Sequence, residues 1–169
     1  MLGRSVIVIL EGPDGSGKTT LAKTLQERYG LLYRHEGPPP EDVAPLTYYC
    51  DILEEHRGGN IVFDRFALGE RVYGPILRHG DRIGELGWYT FVSYAQSLGV
   101  VQVVCLPPPA VCHGVWASGR SEMFKSDREF FMSYAAFAYF AGDAAQLRYD
   151  WTRQPLSYLL TRLSADESE

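Results

Sequence analysis

The sequence predicts an α/β fold with a parallel sheet, and three observations carry that expectation. Short apolar runs rich in β-branched residues alternate with longer stretches of helical periodicity. The first run, Val6 to Leu10, is apolar at every position, as a strand buried on both faces should be. It leads directly into a glycine-rich turn, EGPDGSGKTT over residues 11–20, after which Leu21, Ala22, Leu25 and Tyr29 recur at helical spacing.

The elements follow in order. Strands are expected at Val6 to Leu10, Leu31 to Tyr33, Ile61 to Phe63, Val100 to Leu106 and Leu147 to Tyr149. Helices are expected at 18–29, 41–57, 67–79, 85–98, 108–118, 127–146 and 155–163, the last marked by Leu156, Leu159, Leu160 and Leu163. After the second strand, EGPPP over residues 36–40 locks the chain into an extended turn of polyproline type. Ser118 to Ser126 is polar and glycine-containing, with Arg120 inside it and Arg128 just beyond. Its composition suits a flap over phosphates and an ordinary surface loop equally. The expected organisation is one domain over 1–163, with a flap near 118–127 and a disordered acidic tail over 164–169.

Composition narrows the function classes. The chain has 169 residues and a net charge of −5, which argues against a broad nucleic-acid-binding face. No apolar stretch approaches a membrane span, and Met1 to Arg4 leads straight into a strand rather than a signal segment. Cys50, Cys105 and Cys112 are odd in number and lack a C-x-x-C pair, which implies a reduced, cytoplasmic setting. His35, His56, His79 and His113 have no metal-ligand spacing, so no structural metal is expected.

The glycine-rich turn carries the chemistry. Gly12, Gly17, Lys18 and Thr19 satisfy G-x-x-x-x-G-K-[ST], the pattern whose backbone N–H groups wrap phosphate oxygens at a helix N-terminus. The expected contacts to a bound triphosphate are Gly12, Asp14, Gly15, Ser16, Gly17, Lys18, Thr19 and Thr20, joined by Arg120 from the flap. Lys18 reaches the outer phosphates and the Thr19 hydroxyl ligates Mg²⁺. Asp64 and Arg65 follow the third strand, at the sheet edge where α/β ligands bind. There a carboxylate can help hold Mg²⁺ or orient an acceptor, and a guanidinium can grip a phosphate in bidentate fashion. Arg120 and Arg128 can close on a transferring phosphoryl group. A free sugar hydroxyl as acceptor would instead need a general base, for which Glu36 or Asp64 stands available. A nucleotide-dependent regulatory switch is the reading from another class, although the chain lacks the guanine-reading N-K-x-D pattern.

These residues resemble the thymidylate kinase-like branch of the P-loop nucleoside monophosphate kinases over most of the chain. EGPDGSGKTTLAKTL resembles that family's phosphate loop and first helix, FDRF its Asp-Arg motif, and CLPPPAVCHGVWASGRSEMFKSDREFF its fourth strand, helix and arginine-bearing lid. The resemblance implies a three-layer P-loop kinase sandwich with a five-stranded parallel sheet in order 2-3-1-4-5. It implies transfer of the ATP γ-phosphoryl to a deoxynucleoside monophosphate, with ATP and Mg²⁺ and with Lys18, Asp64, Arg65, Arg120 and Arg128 in the catalytic set. Asp14 would meet the acceptor sugar, Arg65 the acceptor phosphate, and Tyr149 to Pro155 the donor adenine. One subgroup carries arginine at the position of Gly15, and its absence fits members that rely on lid arginines. The helix before Asp64 lacks that family's thymine-reading phenylalanine and arginine, which leaves Tyr48 or Tyr49 as the stacking face. Glu70, Arg71 and Tyr73, in GERVYGPILR, can point back into the acceptor site, and Trp88 and Tyr89 could form its wall. Such aromatics are more often core, so the site residues expected here are Glu70 and Tyr73. The compact size resembles phage-encoded members, whose setting would be the host cytoplasm. A homodimer is left open.

Overall fold

A computed structural model describes residues 5–78, 80–120, 123–143 and 145–164, apart from the side chain of Arg120. Five parallel strands, β1 (Ile7–Glu11), β2 (Leu32–His35), β3 (Ile61–Asp64), β4 (Val101–Cys105) and β5 (Leu147–Tyr149), form one sheet in the order β2-β3-β1-β4-β5. The register pairs Leu10 with both Asp64 and Val103. The carboxyl ends of the central strands therefore finish side by side.

Strand alternation divides the core into two layers. Val6, Val8, Leu10, Val62 and Val103 pack with Leu21, Ala22 and Leu25 of α1 (Lys18–Tyr29) and with Leu159 and Leu163 of α7 (Leu156–Ser164). Ile7, Ile9, Ile61, Phe63 and Val104 face the opposite layer. That layer contains α2 (Pro45–Glu55), α3 (Ala67–Leu77), α4 (Gly84–Ser97), α5 (Pro109–Val115) and α6 (Asp127–Phe140). Its centre is aromatic: Tyr49, Phe63, Phe66 and Phe91 pack in tilted and edge-on contacts with ring centroids 4.7–6.4 Å apart. Aromatic rings of this size bury a large apolar area each.

Two helices are shorter than periodicity implies. The second begins at Pro45, not at residue 41, because Pro45 takes the first helical turn, where its missing N–H costs nothing. The sixth ends at Phe140, after which Ala141, Gly142 and Asp143 donate back to Phe137, Tyr139 and Phe140 in closing turns. The fifth helix runs on through residues 116–120, where Gly119 at φ 80° breaks the helical path. Ser164 belongs to α7, and the remainder of the expected acidic tail lies outside the described residues. Cys50, Cys105 and Cys112 are free thiols, and no described helix is long and apolar enough to cross a membrane.

Candidate active site

Where β1 ends, the chain turns through residues 12–17 and enters α1, pressed against β4 and α5. Gly12 has φ 142°, and a Cβ there would stand 2.3 Å from the Cys105 carbonyl oxygen. Gly15 has φ 76°, and its Cβ would stand 2.4 Å from the Cys112 oxygen, so no side chain fits either place. The arginine that one kinase subgroup carries at the position of Gly15 is thus excluded here by the backbone as well as by the sequence.

Lys18 is buried, and its Nζ donates to the carbonyls of Gly12 and Pro13, both at 2.8 Å, and to Ser16 Oγ at 3.2 Å. Burial lowers its pKa, with the Arg65 charge acting in the same direction. A cavity of about 490 Å³ opens over residues 14–20 and is bounded by His35, Arg65, Val115, Trp116 and Trp151. Trp151 donates its indole N–H to the Ser16 carbonyl at 3.0 Å, which brings the segment after β5 against the loop. Beside it lies an apolar cavity of about 330 Å³ that includes Thr20, Leu21, Tyr149 and Trp151.

Asp64 is wholly buried at the end of β3. Its Oδ2 accepts from Thr19 Oγ1 at 2.6 Å and Tyr33 OH at 3.3 Å, and His35 Nδ1 lies 3.5 Å away. Its Oδ1 is buried with no partner. Paired hydroxyl and carboxylate oxygens with one acceptor left over suit Mg²⁺, which takes a few oxygen ligands and completes its shell with phosphates and water. Among the described residues no cluster of three or more His, Cys, Asp or Glu side chains could hold a metal ion unaided.

Arg65 sits at the turn between β3 and α3 with φ 73°, the left-handed region that costs a non-glycine residue on the order of 1–3 kcal/mol. The turn is held from below by Glu11. Its Oε1 accepts from the backbone N–H of Phe66 at 2.9 Å and of Gly69 at 3.1 Å, which caps the start of α3. Glu11 is 2% exposed and its Oε2 has no partner. Burial pushes its carboxyl up to about 7, against the pull of the Gly69 N–H and the Lys18 charge. Sequence reasoning gave Glu11 no role. The available signal was an acid ending a strand that is otherwise wholly apolar.

Above the turn, Arg65 donates to Asp14 Oδ1 at 2.6 Å and to Met123 Sδ at 3.6 Å, and its guanidinium lies 5.5 Å from the Tyr73 ring centroid. A second cavity of about 230 Å³ begins here and includes Glu36, Tyr49, Glu70, Tyr73 and Arg78 in its wall. Its polar groups are paired with one another. Glu36 accepts from Arg34 at 2.7 Å and Tyr48 at 2.6 Å, Glu70 accepts from Arg78 at 2.7 Å, and Tyr73 donates to the Gly12 carbonyl at 3.2 Å. Arg65 and His35 line both this cavity and the one over the loop.

Sequence expectations divide at this second cavity. Arg65, Glu70, Tyr73 and Tyr49 come together in it, although the Tyr49 ring is 1% exposed and packed between Phe66 and Phe91. Asp14 lines the loop cavity and reaches this one only through its bond to Arg65. Tyr48 does not line the cavity, because its hydroxyl is committed to Glu36. Trp88 and Tyr89 wall a different cavity with Arg71 and Phe140, since that face of α4 meets α6. Arg128 is exposed in the first turn of α6 and lines neither site cavity. The Arg120 side chain lies outside the described residues.

No family model matches the chain. A stretch of 52 residues, 31% of the chain, is 38% identical to the bifunctional pantoate ligase/cytidylate kinase of Prochlorococcus marinus (strain MIT 9303). The chain spans only 11% of that protein's length. Solved structures resemble nearly all of it. The YorR protein of Bacillus subtilis in complex with phosphorylated GDP aligns with TM-score 0.69 and 16% identity over 93% of this chain and 92% of its own. Deoxyadenosine kinase from M. mycoides with bound dATP aligns with TM-score 0.62 and 14% identity over 95% and 100%. A gluconokinase from Sinorhizobium meliloti 1021 aligns with TM-score 0.58 and 17% identity over 95% and 94%. The fold is therefore that of the P-loop kinases, with the sheet order expected from the sequence.

Proposed function

We propose that this chain is an ATP- and Mg²⁺-dependent kinase of the thymidylate kinase-like branch. It would transfer the γ-phosphoryl of ATP to a deoxynucleoside monophosphate, giving a deoxynucleoside diphosphate and ADP. The observation that carries this reading is the pair Arg65 and His35, which lines both the phosphate-loop cavity and the adjoining one. A donor in the first and an acceptor in the second would meet at the Arg65 guanidinium.

In this mechanism the loop N–H groups and Lys18 hold the donor phosphates, and Trp151 with Tyr149 offers the apolar face for the donor base. Thr19 and Asp64 are the residues that would hold Mg²⁺, which when bound neutralises charge on the phosphate oxygens. Arg65 grips the acceptor phosphate, and Asp14 fixes its orientation through the 2.6 Å bond. Arg120, within the 118–127 segment, and Arg128, just beyond it, would supply further positive charge when it closes. Phosphoryl transfer in line needs positioning more than covalent chemistry, so no side chain acts as a nucleophile.

A free deoxynucleoside as acceptor is the second reading, favoured by Glu36, a buried carboxylate on the acceptor cavity wall. A deoxyadenosine kinase among the similar folds belongs to that reading. Both Glu36 oxygens are already engaged, by Arg34 and Tyr48, rather than turned to an acceptor hydroxyl. Arg65, in contrast, brings a cation to the point where an acceptor phosphate would lie. The test is ADP release from Mg-ATP with dAMP, dCMP, dGMP, dTMP and the corresponding nucleosides. ADP formed with at least one monophosphate supports the proposal, turnover of nucleosides alone replaces it with the second reading, and turnover of none removes both.

A further inference from the structure

One wall of the acceptor cavity is the segment between β2 and α2, which contributes Glu36, Gly37 and Pro38. Pro38, Pro39 and Pro40 have no N–H, so this stretch builds little hydrogen bonding of its own, and its carbonyls need donors from elsewhere. Val43 N–H donates to the Pro40 carbonyl at 3.2 Å and Tyr49 OH to the Gly37 carbonyl at 3.5 Å, and one side chain supplies most of the rest. The Arg82 guanidinium donates to the carbonyls of Pro39 at 3.3 Å, Pro40 at 2.9 Å, Glu41 at 3.0 Å and Val43 at 2.7 Å.

Arg82 is itself anchored through its neighbour. Asp81 Oδ1 accepts from the backbone N–H of Ile83 at 3.0 Å and Gly84 at 2.9 Å, at the start of α4, while Oδ2 accepts from Arg71 Nε of α3 at 2.9 Å. At its other end the wall is held by Glu36, fixed by Arg34 and Tyr48. The wall is thus held to the sheet through Glu36, to α2 through Tyr49 OH on the Gly37 carbonyl at 3.5 Å, and to the α3–α4 junction through Arg82. The guanidinium reaches these carbonyls from two nitrogens, Nη1 to Pro39 and Nη2 to the other three, a spread that the single ammonium nitrogen of a lysine does not reproduce.

We propose that Arg82 is a positioning residue for the acceptor site, fastening the proline-rich wall at the depth that encloses the acceptor while leaving the donor site untouched. The kinetic half of this inference rests on the function proposed above; the structural half does not. The experiment compares the parent chain with Arg82→Ala and Arg82→Lys by steady-state kinetics and by amide hydrogen exchange at Gly37 and residues 41–44. In both variants the acceptor KM should rise about tenfold, equivalent to the loss of one good polar contact. The ATP KM should stay within about twofold, and exchange in the wall should accelerate while the P-loop is unaffected. Unchanged exchange would overturn the clamp whether or not an acceptor is known. Faster exchange with an unchanged acceptor KM would overturn its role in acceptor binding, and a parallel rise of both KM values with a lowered Tm would reduce Arg82 to general stability. If the parent chain phosphorylates no acceptor, the proposed function fails, and the exchange data still decide whether Arg82 holds the wall.

Discussion

The cavity over the phosphate loop has a floor built from backbone, whereas the adjoining cavity, the proposed acceptor site, is walled by side chains. Over residues 12–20 the chain itself makes the surface, with two glycines admitting no Cβ and one lysine tying three loop oxygens together. Around Arg65 the surface comes from β2, α2, α3 and the segment containing Met123, and its charges are cancelled in pairs, Glu36 with Arg34 and Glu70 with Arg78. A backbone cradle reads what every nucleoside triphosphate shares, its phosphates. A wall of paired side chains reads what differs among acceptors, and it changes with single substitutions.

This contrast can be broken from either side. Removing Lys18 takes the one side chain on which the backbone cradle depends, so Lys18→Ala should lower turnover about 10³-fold with a native circular dichroism spectrum. Retained turnover would take the loop out of the mechanism. Beneath the junction, Glu11 has its carboxyl pushed up from 4.5 to about 7 by burial. A raised acid stabilises the fold fully below its unfolded pKa, and that contribution is lost as pH rises from 4.5 through 7. The loss amounts to about 3 kcal/mol. Urea unfolding at pH 5 and pH 8 should therefore show the parent chain losing more stability than Glu11→Gln, with identical slopes contradicting the assignment. The smallest effect is expected at Arg128. Its replacement by Ala should reduce kcat about tenfold with little change in ATP affinity, and a pure loss of ATP affinity would remove it from phosphoryl transfer.

The same contrast explains what the sequence disclosed. The donor half is contiguous, and strand, loop and helix over residues 6–29 specify their own geometry. Asp64 and Arg65 were legible because they end a buried strand beside that loop. Glu70 and Tyr73 were legible as residues three apart on one helical face, whereas Arg71 is turned about 100° away and joins Trp88 in another cavity. Pairings across long separations left no periodic trace. Glu11 meets backbone N–H groups 55 and 58 residues later, and Arg82 meets carbonyls about forty residues earlier. Nor does α4 state in its own sequence which neighbour its aromatic face will meet: Trp88 and Tyr89 line a cavity with Arg71 and Phe140, not the one beside Arg65.

The central claim is that Arg65 divides a donor site from an acceptor site. Equilibrium titration of Arg65→Ala with a non-hydrolysable ATP analogue, and separately with the deoxynucleoside monophosphate that the parent chain uses, tests it most directly. The account predicts unchanged affinity for the analogue and roughly 100-fold weaker binding of the monophosphate, the scale of a lost charge-assisted phosphate contact. Unchanged monophosphate affinity, or an equal loss for both ligands, would contradict it.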